Sequence, residues 1–161
     1  MSLRKVKITL PSHKNPLAHI LLVEDNPLDV ELTLDAFREA QLNSQIHVVR
    51  NGHDALNYLF GRNQYVDRQT HPLPNLVLLD LHLPGIDGHE VLQEIKVTTH
   101  LKRLPVIILT SSQEEQDVIR SYDRGANSYL VKPVSVNGFL DIVNLIDHYW
   151  LSLNIRPPLS G

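Results

Sequence analysis

Five short apolar runs punctuate the chain, and each is followed by a polar turn and a segment with helical spacing. "HILLVE" (19–24), "IHVVR" (46–50), "NLVLLD" (75–80), "LPVIILT" (104–110) and "SYLV" (128–131) are continuous runs rather than alternations in polarity. Strands of that kind need cover on both faces, the condition of a parallel sheet between two helical layers. The intervening segments supply those layers. Asn26 stands where a helix N-cap belongs, Pro27 takes the first helical position, and Leu28, Leu32, Ala36, Phe37 and Ala40 give the apolar stripe. "GHDALNYLF" (52–60) reads as a second helix and "HEVLQEIKV" (89–97), with Val91, Leu92 and Ile95 inward, as a third. Ser112 and Glu115 have capping-box spacing ahead of Val118, Ile119 and Tyr122, and Gly125 closes that fourth helix. A long last helix runs from Ser135 to about Leu153. The fold class is therefore α/β: one doubly wound domain with a five-stranded parallel sheet, most simply in flavodoxin-like order.

Composition removes several classes of function. With 161 residues the chain can bury one sizeable core. A net charge of −3 provides no global attraction for nucleic acid or anionic lipid. The absence of cysteine excludes disulfides, zinc–thiolate sites and cysteine nucleophiles, and fits a reducing compartment. Nine histidines are scattered without metal-site spacing. No segment has the roughly 18 apolar residues a membrane span needs, and the start lacks a secretory h-region. The expectation is a cytoplasmic protein with no nucleic-acid or membrane partner. Its domain is expected over residues 19–153, between a flexible arm at 1–18 and a tail at 154–161.

The polar residues that interrupt this pattern gather at one place. "LVLLDLHLP" runs an apolar strand into Asp80 before turning at Pro84 and Gly85. Glu24 and Asp25 end the first run, Thr110 ends the fourth and Lys132 follows the fifth. In an open parallel sheet these carboxyl ends share one edge, where ligands bind. Clustered carboxylates repel one another, and a hard divalent cation such as Mg²⁺ removes that repulsion. The lysine and the hydroxyl would then suit the anionic oxygens of a phosphoryl group.

The acid pair in "VEDN" together with "LLDLHLPGIDG", "ILTSS" and "YLVKP" resembles the receiver domain of two-component response regulators over roughly residues 19–153. The resemblance implies the CheY-like strand order and assigns roles. Asp80 would be the phosphoacceptor, attacking the phosphohistidine of a sensor histidine kinase. Asp25 and Asp80 would hold Mg²⁺ with the backbone carbonyl of His82, and Glu24 would act through water. Lys132 and Thr110 would contact the phosphoryl oxygens, and Tyr129 would change rotamer, unless it is simply a half-buried strand aromatic. The Lys132–Pro133 peptide is expected to be cis. The His82 imidazole lies where it could influence hydrolysis of the acyl phosphate.

The last helix carries Phe139, Ile142, Val143, Ile146, Tyr149, Trp150 and Leu153 at helical spacing, with Leu140 and Leu145 widening the apolar surface. Either the sheet and fourth helix cover it, or a second subunit does. The "HYW" ending and the lengthened loop before "LPNLVLLDLHLPG" are similar to small regulators paired with cyanobacterial phytochromes. That likeness implies a phytochrome-type kinase and a homodimer built on the last helix through Phe139, Tyr149 and Trp150. Such a protein is a phosphoacceptor and not an enzyme. Two other readings stay open. One is an aspartyl phosphatase of the haloacid-dehalogenase type, although His82 stands where that chemistry wants a second Asp. The other is an adaptor that keeps the fold without the phosphorylation.

Overall fold

The computed structural model describes residues 17–159. Five parallel strands lie in the order β2-β1-β3-β4-β5: β1 (Ala18–Val23), β2 (Ser44–Val49), β3 (Leu76–Leu79), β4 (Val106–Thr110) and β5 (Ser128–Val131). Helices α1 (Pro27–Glu39), α2 (Gly52–Phe60), α3 (Gly88–Val97), α4 (Glu115–Asp123) and α5 (Val136–Ile146) alternate with them. The apolar runs of β1, β3 and β4 are covered on both faces, whereas the edge strands β2 and β5 are only partly buried. Leu21, Val23, Val77 and Leu79 pack with Ala55, Leu59, Val91, Leu92 and Ile95 of α2 and α3. On the other face Ile20, Leu22, Leu76 and Leu78 pack with Ala36 and Phe37 of α1 and with Phe139, Val143 and Ile146 of α5. Successive strand residues point to opposite sides, so each run serves both layers.

Local signals hold with instructive exceptions. The Asn26 side chain caps α1 by accepting from the backbone N–H groups of Leu28 and Asp29. Leu28 itself is exposed, and Val30 and Thr33 are buried with Ala36 and Phe37 along the helix. The Ser112–Glu115 capping box does not form. The cap residue is Glu114, without a side-chain bond, and the Ser112 hydroxyl turns to Asp117 instead. Ile119 and Tyr122 of α4 lie exposed, and Ser121 is the buried residue of that helix.

The last helix is regular only to Ile146 and continues as a π-helical stretch, Asp147–Leu153. The extra residue per turn shifts its stripe, burying Leu151 while Tyr149 and Leu153 stay exposed.

Residues 1–16 of the expected N-terminal arm lie outside the described residues, but Ala18 already belongs to β1 and is buried. At the other end Leu159 packs on the core, and Arg103 Nη1 donates to the Pro158 carbonyl at 3.1 Å. The segment before Ser160 is thus docked, because a guanidinium and an apolar contact hold it. The expected cis Lys132–Pro133 bond is absent: every described peptide is trans. The trans form is the more stable one for X–Pro by about 0.5–1 kcal/mol, and this strand exit adopts it.

One glycine is fixed by crowding. A Cβ on Gly88 would press into the Asp80 carbonyl oxygen and lie 2.6 Å from Leu81 Cα, while the Gly88 N–H donates to the Leu81 carbonyl. Gly88→Ala should therefore cost about 2–4 kcal/mol, read as a lower midpoint in urea unfolding. An unchanged midpoint would show that the turn after β3 can give way.

Candidate functional site

Backbone register brings the site together. Val23 of β1 pairs with Leu79 of β3, so Glu24 and Asp80 leave adjacent strands side by side. The Asp80 N–H donates to the Val23 carbonyl at 3.1 Å. Thr110 of β4 pairs with Val131 of β5, and the Lys132 N–H donates to the Thr110 carbonyl at 2.7 Å. Glu24, Asp25 and Asp80 offer carboxylate oxygens all within 4.8 Å of one another. Glu24 and Asp80 are buried, whereas Asp25 is exposed at the mouth.

Lys132 is the counter-ion of this group. Its Nζ lies 2.7 Å from Glu24 Oε2, 2.8 Å from Asp29 Oδ2 and 2.9 Å from Asp80 Oδ2. Burial works against the ammonium, but hydrogen bonds to Asp29, Asp80 and Glu24 outweigh it and raise its pKa above the ordinary lysine value. One ammonium cannot neutralise Glu24, Asp25, Asp29 and Asp80. The shortfall falls on Glu24, which burial, helped by the Asp80 charge and opposed by the Lys132 bond, pushes up to about 7.

Asp29 is absent from the sequence-based set. It occupies the first turn of α1 behind the Asn26 cap, where an acid ordinarily serves the helix dipole. Only the fold turns that carboxylate toward a lysine 103 residues away.

The remaining expected residues lie on the same rim. Thr110 is fully buried, and its hydroxyl oxygen accepts a long bond from the Ser112 N–H at 3.4 Å. Tyr129 is half-buried and donates its hydroxyl to the Ser112 carbonyl at 2.9 Å. Burial, more than its charged neighbours, raises the Tyr129 pKa. His82 presents an exposed side chain, and its N–H approaches Asp80 Oδ1 at 3.3 Å. A cavity of about 460 Å³ opens beside the acids, lined among others by Asp25, His82, Pro84, His89 and Arg120. Phe139, expected at a subunit interface, is instead packed in the core because it faces the sheet.

The family model for the response regulator receiver domain matches residues 20–144. The chain belongs to that family. Response regulator Rcp1 of Synechocystis sp. is 39% identical over 148 residues, covering 92% of this chain and 99% of Rcp1. The solved Mn²⁺-bound form of Rcp1 superposes with a TM-score of 0.78 at 38% identity, covering 87% of this chain and 99% of that one. The phosphorylated cyanobacterial phytochrome response regulator RcpA gives a TM-score of 0.82 at 38% identity, covering 88% and 99%. The receiver fold and its order of five parallel strands are therefore those anticipated from the sequence.

The donor set in this receiver, carboxylate oxygens without sulfur or imidazole, fits a hard divalent cation. Protons compete for the same oxygens. Because the Glu24 pKa is raised in the fold from 4.5 to about 7, the metal-free protein is stabilised by its protonation. That contribution is full below pH about 4.5 and disappears as pH climbs to about 7, a loss of up to about 3 kcal/mol. Urea unfolding across this window should show the decline, and a millimolar divalent cation should flatten it. A flat profile without metal would remove Glu24 from the strained position given to it.

Proposed function

We propose that this receiver accepts a phosphoryl group on Asp80 from the phosphohistidine of a phytochrome-type sensor histidine kinase, and signals through protein–protein contacts. What carries the reading is the grouping of Glu24, Asp25 and Asp80 around one edge with Lys132 bonded to two of them. In the transfer, a carboxylate oxygen of Asp80 bonds to phosphorus as the phosphorus–nitrogen bond breaks, and the imidazole leaves with that electron pair. Glu24, Asp25 and Asp80, with the His82 carbonyl, would hold Mg²⁺, which supplies positive charge for the phosphoryl oxygens. Lys132 balances charge on the new acyl phosphate, and Thr110 donates its hydroxyl to it. Tyr129 follows as the switch residue. The link to a phytochrome-type kinase rests on the likeness to Rcp1 and RcpA.

The protein acts as a phosphoacceptor rather than a turnover enzyme. The position two residues beyond Asp80 is His82, which leaves an aspartyl phosphatase without its acid. A chain without cysteine suits the cytoplasm. Among the described residues no helix is long and apolar enough to cross a membrane.

Output through a homodimer is supported by Leu145, Tyr149 and Leu153, spaced by four along the last helix and all more than half exposed. Tyr149 stacks edge-on with Trp150 at 5.1 Å, which stiffens that surface. Phe139 has no part in it.

Acetyl phosphate with Mg²⁺ should label the protein, and Asp80→Asn should reduce labelling at least about 100-fold in a phosphate-affinity gel. Label persisting on that variant would move the acceptor elsewhere. Light scattering should report a dimer, and Tyr149→Glu should weaken it about 10-fold or more. A wild-type monomer at all concentrations would remove the dimer.

A further inference from the structure

His89 occupies the first turn of α3, is 3% exposed and plays no part in the chemistry above. Its Nε2 lies 3.1 Å from Asp117 Oδ1 on α4, while its Nδ1 is buried without any hydrogen-bond partner. A buried imidazole whose Nδ1 meets no protein partner is a costly way to fill space unless its other nitrogen makes a contact that an apolar side chain cannot. An apolar side chain would serve packing better.

The Asp117 carboxylate leads onward. Its Oδ2 accepts from the Ser112 hydroxyl at 2.6 Å, and the Ser112 carbonyl accepts from Tyr129. The bond from Ser112, with that from His89 next, depresses the Asp117 pKa, as a carboxylate held by donors requires. The Ser112 N–H meanwhile approaches Thr110 Oγ1 at 3.4 Å. The Thr110 oxygen therefore acts as an acceptor, and its own proton is left to donate. Gly88, one residue before His89, bonds to the Leu81 carbonyl directly after Asp80. A line of polar contacts thus runs from the turn after the acceptor, across α3 and α4, to the loop that holds Thr110 and Tyr129, without touching the acids.

We propose that His89 is a positioning residue: through Asp117 and Ser112 it fastens the loop after β4 to α3, and so preorganises Thr110 and Tyr129 for the phosphoryl group on Asp80. This rests on the acceptor role proposed for Asp80. A loop already fixed in place loses less freedom when a ligand engages it, so releasing the tie lowers phosphoryl affinity and spares the metal.

Calorimetric titration separates the two. Mg²⁺ alone, and then beryllofluoride in saturating Mg²⁺, are titrated into wild type, His89→Ala, His89→Gln, Ser112→Ala and the Ala/Ala double variant. His89→Ala and Ser112→Ala should each weaken beryllofluoride binding about 3- to 10-fold while Mg²⁺ affinity stays within about twofold. His89→Gln keeps an N–H donor near the Nε2 position and should stay within about twofold of wild type. The double variant should lose no more than the weaker-binding single, since both cut one connection. Ser112 is only half-buried, so its variant remains informative should His89→Ala fail to fold. Unchanged beryllofluoride affinity, a matching loss of Mg²⁺ affinity, or additive losses in the double variant would overturn the tie while leaving the acceptor in place. Wild type that binds Mg²⁺ but no beryllofluoride would overturn both.

Discussion

Lys132 is bonded to Glu24, Asp29 and Asp80, which arrive from the ends of β1 and β3 and from the first turn of α1. Such a buried ionic group is worth little as a source of net stability, because desolvation consumes most of the attraction. Its consequence lies in what it leaves unbalanced. With Asp25 counted, four carboxylates share a single ammonium, and Glu24, chiefly because it is buried and secondarily because Asp80 stands beside it, has a raised pKa. The rim is therefore poised to take up further positive charge. It can hold an anion only after that charge has arrived.

The rest of the molecule keeps those side chains from moving apart. β1 and β3 are buried on both faces by separate apolar clusters, so the sheet cannot shear without uncovering one of them. Register then fixes where each strand stops. Val23 beside Leu79, and Thr110 beside Val131, set the spacing of Glu24, Asp80 and Lys132 before any side-chain bond is made. The hydrophobic layers determine position, and the polar contacts only refine it. Gly88 makes the same point at close range, since it lets the start of α3 rest directly on the Asp80 backbone.

The difference between what the sequence discloses and what it hides follows that division. Strand ends are readable because continuous apolar runs stop at polar or charged residues, and the topology of a parallel sheet sends all of those stops to one edge. Glu24, Asp25, Asp80, Thr110 and Lys132 were visible for that reason. Asp29 was not, because an acid in the first turn of a helix already has a sufficient local explanation. Ser112 misled in the opposite way: its spacing from Glu115 fits a capping box, yet a carboxylate from the next turn competes for the hydroxyl and wins. Phe139 and Tyr149 fall within one apolar stripe of a regular helical wheel, Tyr149 toward its edge. The π-helical stretch separates them, and the relation between its winding and the sheet is a tertiary property that no local pattern encodes.

The same contrast singles out the least anchored element beside the rim. Among its own residues α4 buries only Ser121, and Ile119 and Tyr122 project into solvent. By comparison α3 buries Val91, Leu92 and Ile95. An element with so little apolar anchoring belongs to the low-stability end of a fold, where displacement costs least. Its ties to the rim are polar: Asp117 to His89 and to Ser112, and Ser112 to Tyr129. Hydrogen bonds depend on direction as well as distance, whereas apolar burial is non-directional. α4 is thus tied to the loop between Thr110 and Tyr129 by directional polar contacts and anchored by little apolar burial of its own, while β5 stays fixed by its ladder to β4.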